Sequence, residues 1–254
     1  MAAGRMLVPL TAAAGALLLA GCVSWGGPGP KPPAASAADL PVTAPEDLMR
    51  EHGLLRRVLL VYEEAARRLD GGEALPAKPV REAAGIIRSF IEDYHEKLEE
   101  EFIFPRFEAA GRQLELVKAL RAQHQAGRRI TAEVLELAGA GEAVRPEDRA
   151  RLAAELRQFI RMYRPHAARE DTVLFPELRG VVSARNFRAM CEAFEDREED
   201  LFGEGGFEKM VARVAAIETA LGIGSLDQFT PAAELSAGAG LSRAASVLPE
   251  QSSR

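Results

Sequence analysis

The histidines of this chain form a repeated pattern of residues that can bind metal ions. The sequence contains four histidines, arranged as two pairs with nearly the same separation. The second histidine of each pair is followed four residues later by a glutamate and ten residues later by a proline that a phenylalanine precedes. Imidazole is the commonest metal-ligating side chain, and carboxylates also bind metal ions. The repeat therefore predicts a metal site whose donors are His52, His95, Glu99, His124, His166 and Glu170.

Helices must hold these donors, because the surrounding residues have helical periodicity. Alanine, leucine, glutamate and arginine dominate the middle of the chain, and apolar residues recur there at spacings of three and four. Four long helices with short connections predict an all-α fold, an up-down-up-down four-helix bundle over residues 46–180. The predicted helices span about Pro45–Leu69, Pro79–Phe104, Gly111–Ala138 and a fourth from near Pro146 to before Pro176.

Three prolines should shape the second and fourth helices. Pro105 and Pro176 are expected to end them, because a proline disfavours helical geometry at the residue before it. Pro165 lies inside the fourth helix, where its missing N–H and its ring clash predict a bend.

The helical spacing places the donors on the helix faces that point into the interior of the bundle. Residues four apart share a helix face, so each histidine–glutamate pair can bind one metal ion or two adjacent ions. The other two helices each add one imidazole. Four imidazoles and two carboxylates exceed what one tetrahedral zinc ion needs, and they suit two transition-metal ions bridged by carboxylates, with iron favoured.

The same spacing predicts which neighbours face the site. Glu96 and Glu100 fall mostly outside the inner stripe of the second helix. The expected apolar surroundings of the donors are Leu55, Leu59, Ile91, Phe102, Leu120, Phe159 and Val173.

Other interpretations of these residues fit less well. A single histidine on an inner helix face is more often a structural core residue than a ligand, but four in register with two glutamates favour a metal site. His95-Glu96-x-x-Glu99 approaches a zinc-peptidase motif but lacks its second histidine. Glu92-x-x-His95 matches half of a ferritin-like di-iron motif, whose other half would need a glutamate in place of Tyr163.

The complete pattern resembles the hemerythrin-like (HHE cation-binding) family from about Glu46 to Leu178. The resemblance implies a four-helix bundle around a non-haem di-iron centre, with terminal imidazoles from all four helices and with Glu99 and Glu170 as bridging carboxylates. Residues 201–207 and the helix after them resemble an extension of bacterial members. The elements that carry the resemblance are His52, His95-x-x-x-Glu99, Phe104-Pro105, His124, His166-x-x-x-Glu170 and Phe175-Pro176.

The chain departs from the oxygen-carrying hemerythrins at one position. Those proteins resemble this pattern but have a second histidine on the third helix, where this chain has Arg128. One iron would then lack a ligand, or take water or another carboxylate such as Glu96. Tyr163 is a further candidate near the site, with core packing as its favoured role. The open position is also what oxygen activation needs.

The N-terminus has the form of a bacterial lipoprotein signal. An apolar run too short to span a membrane comfortably ends at Leu19-Ala20-Gly21-Cys22. We expect a signal peptide over residues 1–21, lipidation of Cys22, and a flexible tether rich in Pro, Gly and Ala over 22–45. The protein would be lipid-anchored in the cell envelope and face the periplasm, with the outer membrane weakly favoured. The alternative is an ordinary secretory signal with a chance cysteine.

The remaining chain adds few chemical groups. Two amphipathic segments predict a helical extension over residues 181–230, and small polar residues predict a disordered tail over 231–254. Cys191 has no cysteine partner if Cys22 is acylated, so its expected role is that of a small buried apolar residue. The net charge of −6 and the lack of a basic run make nucleic acid an unexpected partner.

These features favour a binding protein over an enzyme. The leading hypothesis is a di-iron protein that binds oxygen, nitric oxide or peroxide, for carriage, storage, sensing or iron holding. The alternative is a di-iron oxidase, a peroxidase or an enzyme that handles nitric oxide. A third hypothesis is a structural module whose site binds zinc or nothing.

Overall fold

Four long helices carry all the predicted donors. The computed structural model describes residues 42–231; the predicted signal peptide, Cys22 and most of the predicted tether and tail lie outside this range. Within it the structure is helical and contains no β-strand, as the sequence predicts. The four helices are α1 (Ala44–Asp70), α2 (residues 77–110), α3 (Leu114–Ala138) and α4 (residues 149–177).

The four helices form a closed ring. α1 packs against α2 and α4, and α3 packs against the same two helices, which is the arrangement of a four-helix bundle. Their apolar faces form one continuous core. No helix among the described residues combines the length and the apolar character needed to cross a membrane.

The helix ends follow local chemistry. Thr43 precedes α1. Its backbone N–H (2.9 Å) and its hydroxyl (2.8 Å) both donate hydrogen bonds to the Glu46 carboxylate. Gly111 adopts the left-handed conformation (φ 64°) that closes α2. The third helix therefore begins at Leu114, and its predicted start at Gly111 was wrong.

Both Phe-Pro pairs lie within continuous helix, so the predicted helix ends at Pro105 and Pro176 were wrong. A π-helical segment precedes each pair: Glu99–Ile103 in α2 and Glu170–Leu174 in α4. The hydrogen-bond register shifts where a π turn returns to α geometry. The N–H that proline lacks therefore removes little of the helix's backbone hydrogen bonding at this point. α2 continues to Ala110, and α4 continues through Pro165 and Pro176 to Glu177.

The π segments also shift the inner faces by one residue. Ile103 and Leu174 are fully buried, whereas the predicted Phe102 and Val173 are only partly buried. An extra residue in a helical turn rotates every later side chain, which a regular spacing cannot show. The other five predicted apolar neighbours are buried as expected: Leu55, Leu59, Ile91, Leu120 and Phe159.

Two further helices cover one side of the bundle. They are α5 (Ala184–Phe202) and α6 (Gly206–Ala220), joined by a turn in which Gly203 and Gly205 both have a φ of 68°. The ring of Phe102 meets Phe194 of α5 edge-on, with centroids 5.6 Å apart. The guanidinium of Arg57 in α1 binds the Glu218 carboxylate of α6 at 2.9 and 2.5 Å. These contacts join the extension to α1 and α2.

Candidate metal centre

The structure brings all six predicted donors into one buried site. The Nε2 atoms of His52 and His95 lie 3.1 Å apart. Oε1 of Glu99 lies 3.6 Å from His95 Nε2, and Oε2 of Glu99 lies 3.3 Å from His124 Nε2. Oε2 of Glu170 lies 3.4 Å from His52 Nε2 and 3.1 Å from His166 Nε2. Glu99 therefore lies between the imidazoles of α2 and α3, and Glu170 lies between the imidazoles of α1 and α4.

These donors divide into two groups that share a carboxylate. The first contains His52, His95 and Glu99, and the second contains Glu99, His124, His166 and Glu170. Within each group one ligand atom per residue lies within 4.8 Å of the others. The geometry therefore offers two adjacent positions for ions, with Glu99 common to both.

The two carboxylates of the site are fully buried without a hydrogen-bond donor. Glu99 and Glu170 are each 0% exposed. All four of their oxygens, together with Nε2 of His124, are buried without a hydrogen-bond partner. Buried polar groups are almost always hydrogen-bonded, and buried charges are paired or bind metal. These orphaned atoms fit a site built for cations.

Each imidazole is oriented by a hydrogen bond on its other nitrogen. An acceptor at Nδ1 fixes the tautomer and leaves the Nε2 lone pair facing the site, as in metal-ligating histidines generally. The acceptors are Asp171 for His52 (2.6 Å), Glu51 for His95 (2.5 Å), Glu100 for His124 (3.1 Å) and Gln123 for His166 (2.9 Å).

Sequence reasoning missed these acceptors. Glu51 and Asp171 stand next to a ligand in the sequence, but adjacent residues on a helix do not face each other. Each acceptor serves an imidazole on another helix, so only the tertiary structure reveals it.

The site's electrostatics favour a bound cation. Burial and the neighbouring Glu170 raise the pKa of Glu99 well above its usual range. Burial alone would raise the pKa of Glu170 too, but the imidazole of His166 holds it well below that range. Burial lowers the pKa of His124 to about 4, so this imidazole is neutral and ready to bind a metal at pH 7. A cation would relieve the repulsion between the two carboxylates.

The phenylalanines of the repeat shield the imidazoles. Phe104 stacks on His124 with centroids 5.4 Å apart, and Phe175 stacks on His52 at 5.7 Å. Each ring covers a histidine of the other half of the chain.

Arg128 does not replace the missing histidine as a donor. Its guanidinium binds the carboxylates of Glu96 and Glu100 at 2.8 Å each. Glu96 is 1% exposed, so its predicted place outside the inner stripe was wrong; it also accepts a hydrogen bond from the Tyr163 hydroxyl. Tyr163 is buried and stacks on Phe159, which agrees with core packing, while its hydroxyl joins this polar network.

The fold and the site define a class: an all-helical bundle with a buried histidine–carboxylate centre. The family model of the hemerythrin HHE cation binding domain matches residues 43–178, and the chain belongs to this family.

The relatives cover almost the whole chain. It is 49% identical over 231 residues to "Uncharacterized protein Rv1995" of Mycobacterium tuberculosis (strain H37Rv), which covers 89% of this chain and 90% of the relative. The identity and coverage are the same for "Uncharacterized protein Mb2018" of Mycobacterium bovis. No solved structure matches the chain significantly.

Proposed function

We propose that the bundle binds two non-haem iron ions. His52 and His95 would serve one ion, His124 and His166 the other, and Glu99 and Glu170 would bridge them. The observation that carries the proposal is the convergence of all four Nε2 atoms on two carboxylates without other partners. Imidazole with carboxylate is a donor set that iron accepts readily.

The proposed role is to bind oxygen or a related small ligand, such as nitric oxide or peroxide. A bound iron pair supplies electrons and a coordination position for such a ligand. The protein orients the imidazoles, excludes water with its apolar core and leaves room nearby. A cavity of about 270 Å³ lies between α1 and α4, and its walls include Leu55, Leu59, Tyr163 and Ala167. The Tyr163 ring in this wall lies 5.1 Å from the His166 ring, centroid to centroid, so one side of the cavity is close to a donor.

Anaerobic reconstitution tests the proposal. Ferrous iron should load at two ions per chain, and air should then produce a charge-transfer absorption band. His166→Ala should lose iron and the band, whereas Asp196→Asn, which changes an exposed residue of α5, should keep both. A spectrum that never changes, or zinc in place of iron after purification without chelator, would contradict the proposal and favour a structural module.

The second candidate function is a di-iron oxidase, a peroxidase or an enzyme that handles nitric oxide. The buried Tyr163–Glu96–Arg128 network beside the donors favours it, because such a network could hold a proton near the centre. Steady turnover of peroxide or nitric oxide, lost in His95→Ala and slowed in Tyr163→Phe, would support the enzyme. Stoichiometric binding without turnover would support the carrier or sensor.

For the N-terminus we propose lipidation at Cys22 and a periplasm-facing position in the cell envelope. The apolar run that ends at this cysteine supports the proposal. Radiolabelled palmitate should enter the wild-type chain in cells and should not enter Cys22→Ala. Labelling of both chains, or of neither, would contradict it.

A further inference from the structure

Three carboxylates outside the metal centre meet between α1 and α5. Asp47, Glu51 and Glu198 each place an oxygen within 4.8 Å of the others. Glu51 is 0% exposed; its Oε2 accepts from His95 Nδ1, while its buried Oε1 makes no hydrogen bond of normal geometry and has the Tyr94 hydroxyl as a neighbour. A buried, unpartnered carboxylate oxygen beside two further carboxylates fits a cation ligand.

The charges around these carboxylates are only partly balanced. Arg50 lies 3.2 Å from Asp47, but it is shared with Glu208 at 3.4 Å. The backbone N–H of Phe207 donates to Glu198 at 2.7 Å. Burial and the charges of Glu51 and Glu198 raise the pKa of Asp47 to about 7, which reports the same crowding of negative charge. A bound cation would compensate these charges.

A cavity of about 160 Å³ gives an ion room at this position. Its walls include Asp47, Arg50, Phe194 and Glu198, together with Cys191, whose half-buried thiol sulfur accepts from the Ala44 N–H at 3.3 Å. The cavity therefore lies beside two of the three carboxylates. Its volume suits an ion that keeps several waters, since one water occupies about 30 Å³ of the liquid.

We propose that Asp47, Glu51 and Glu198 bind one oxygen-preferring divalent cation, such as Mn²⁺, Mg²⁺ or Ca²⁺, at a site separate from the iron pair. Carboxylates and water are the ligands that these ions prefer. The two sites share one link, the hydrogen bond from His95 to Glu51. A cation on the free oxygen of Glu51 draws electron density from the carboxylate, so it becomes a weaker acceptor and His95 a weaker iron donor.

Electron paramagnetic resonance titration of the iron-loaded full chain with Mn²⁺ tests the site. One Mn²⁺ per chain should bind in addition to two irons, and Ca²⁺ or Mg²⁺ should compete. Glu198→Gln and Asp47→Asn should each weaken Mn²⁺ binding at least tenfold while iron content and helicity stay unchanged. Asp196→Asn, which removes an exposed acid of the same helix, should bind Mn²⁺ like the wild type.

The outcomes separate this site from the iron pair. Absence of an additional Mn²⁺, or unchanged binding in Glu198→Gln, overturns the proposal. Mn²⁺ binding that disappears in Glu198→Gln but persists in His166→Ala establishes the site even if the chain never holds iron. The link to the iron centre rests on the proposed function: Mn²⁺ should raise the midpoint potential of the iron pair in the wild type and leave Glu198→Gln unshifted. An unchanged wild-type potential overturns the link alone.

Discussion

The hydrogen-bond acceptors of the four imidazoles differ in charge. His52 and His95 donate to carboxylates at 2.6 and 2.5 Å. His166 donates to the neutral amide of Gln123, whereas the carboxylates that accept from His52 and His124 are each shared with an arginine, Arg56 and Arg128. A carboxylate acceptor increases the basicity of a ligating imidazole. The His52–His95 position should therefore hold its ion more tightly than the His124–His166 position.

Removal of one charged acceptor tests this argument. Asp171→Asn keeps a polar group beside His52 but removes the negative charge, so iron affinity should fall about 10–100-fold at one of the two positions. Competition with a chromophoric chelator measures the loss. Asp93→Asn removes an exposed acid of α2 and should leave the affinity unchanged. Equal affinities for both variants would mean that the acceptor's charge does not matter.

Glu99 should reduce the stability of the metal-free protein. Burial and Glu170 raise its pKa above the ordinary value of 4.5, so its contribution to stability is full below pH 4.5 and is lost as the pH rises through the folded-state pKa. Glutamine has no proton to lose. Metal-free Glu99→Gln should therefore melt higher than metal-free wild type at pH 8, by on the order of 5 °C, although it binds iron poorly.

Thermal unfolding followed by circular dichroism with excess chelator measures this difference. The gap between the two proteins should narrow as the pH approaches 4.5. With iron present the order should reverse, because the bound ions stabilise only the wild type. A metal-free variant that melts below the wild type at pH 8 would show that Glu99 is not an unfavourable buried charge.

At the scale of the helix, the sequence predicts the donors better than their neighbours. The spacing of four between histidine and glutamate keeps each pair on the inner face, even though a π segment (Ile87–His95) precedes the first pair. The π segments Glu99–Ile103 and Glu170–Leu174 begin only at the glutamates. Phe102 and Val173 come after the shift begins and were each misplaced by one residue. No residue type marks a π turn, because its wider register is stabilised by tertiary contacts.

Close packing of α3 against α4 depends on Gly127. A Cβ at this position would overlap the Tyr163 hydroxyl and lie 2.9 Å from its ring. Gly127→Ala should therefore displace Tyr163 from Glu96 and destabilise the fold by about 1–3 kcal/mol, despite the better helix propensity of alanine. Denaturant unfolding measures the change.

Gly85→Ala is the matched control. Gly85 also lies inside a helix, but a Cβ there would meet nothing within 4 Å. Its replacement should stabilise the protein by about 0.5–1 kcal/mol. Two substitutions with the same chemistry should thus have opposite signs, and a stabilising Gly127→Ala would refute the packing argument.

Across the whole molecule, the two halves of the repeat complete each other. Glu99 and Phe104 of the first half contact His124 of the second, while Glu170 and Phe175 of the second half contact His52 of the first. Neither half alone contains the full surroundings of its own histidines. The repeat in the sequence predicted the donor set, but this exchange depends on the closed ring of helices.

Small ligands are expected to reach the metal centre through the cavity between α1 and α4, and filling the cavity tests this route. Leu60 is half-buried in its wall and is not one of the six donors. Leu60→Trp should fill part of the roughly 270 Å³ cavity, so iron content should stay constant while oxygen or nitric oxide associates more slowly, by about tenfold. Stopped-flow absorption of the reduced protein measures the rate. Leu116→Trp places the same ring at a half-buried site on α3 away from the cavity and should keep the wild-type rate. If both variants bind ligand as fast as the wild type, small molecules reach the centre by another path through the bundle.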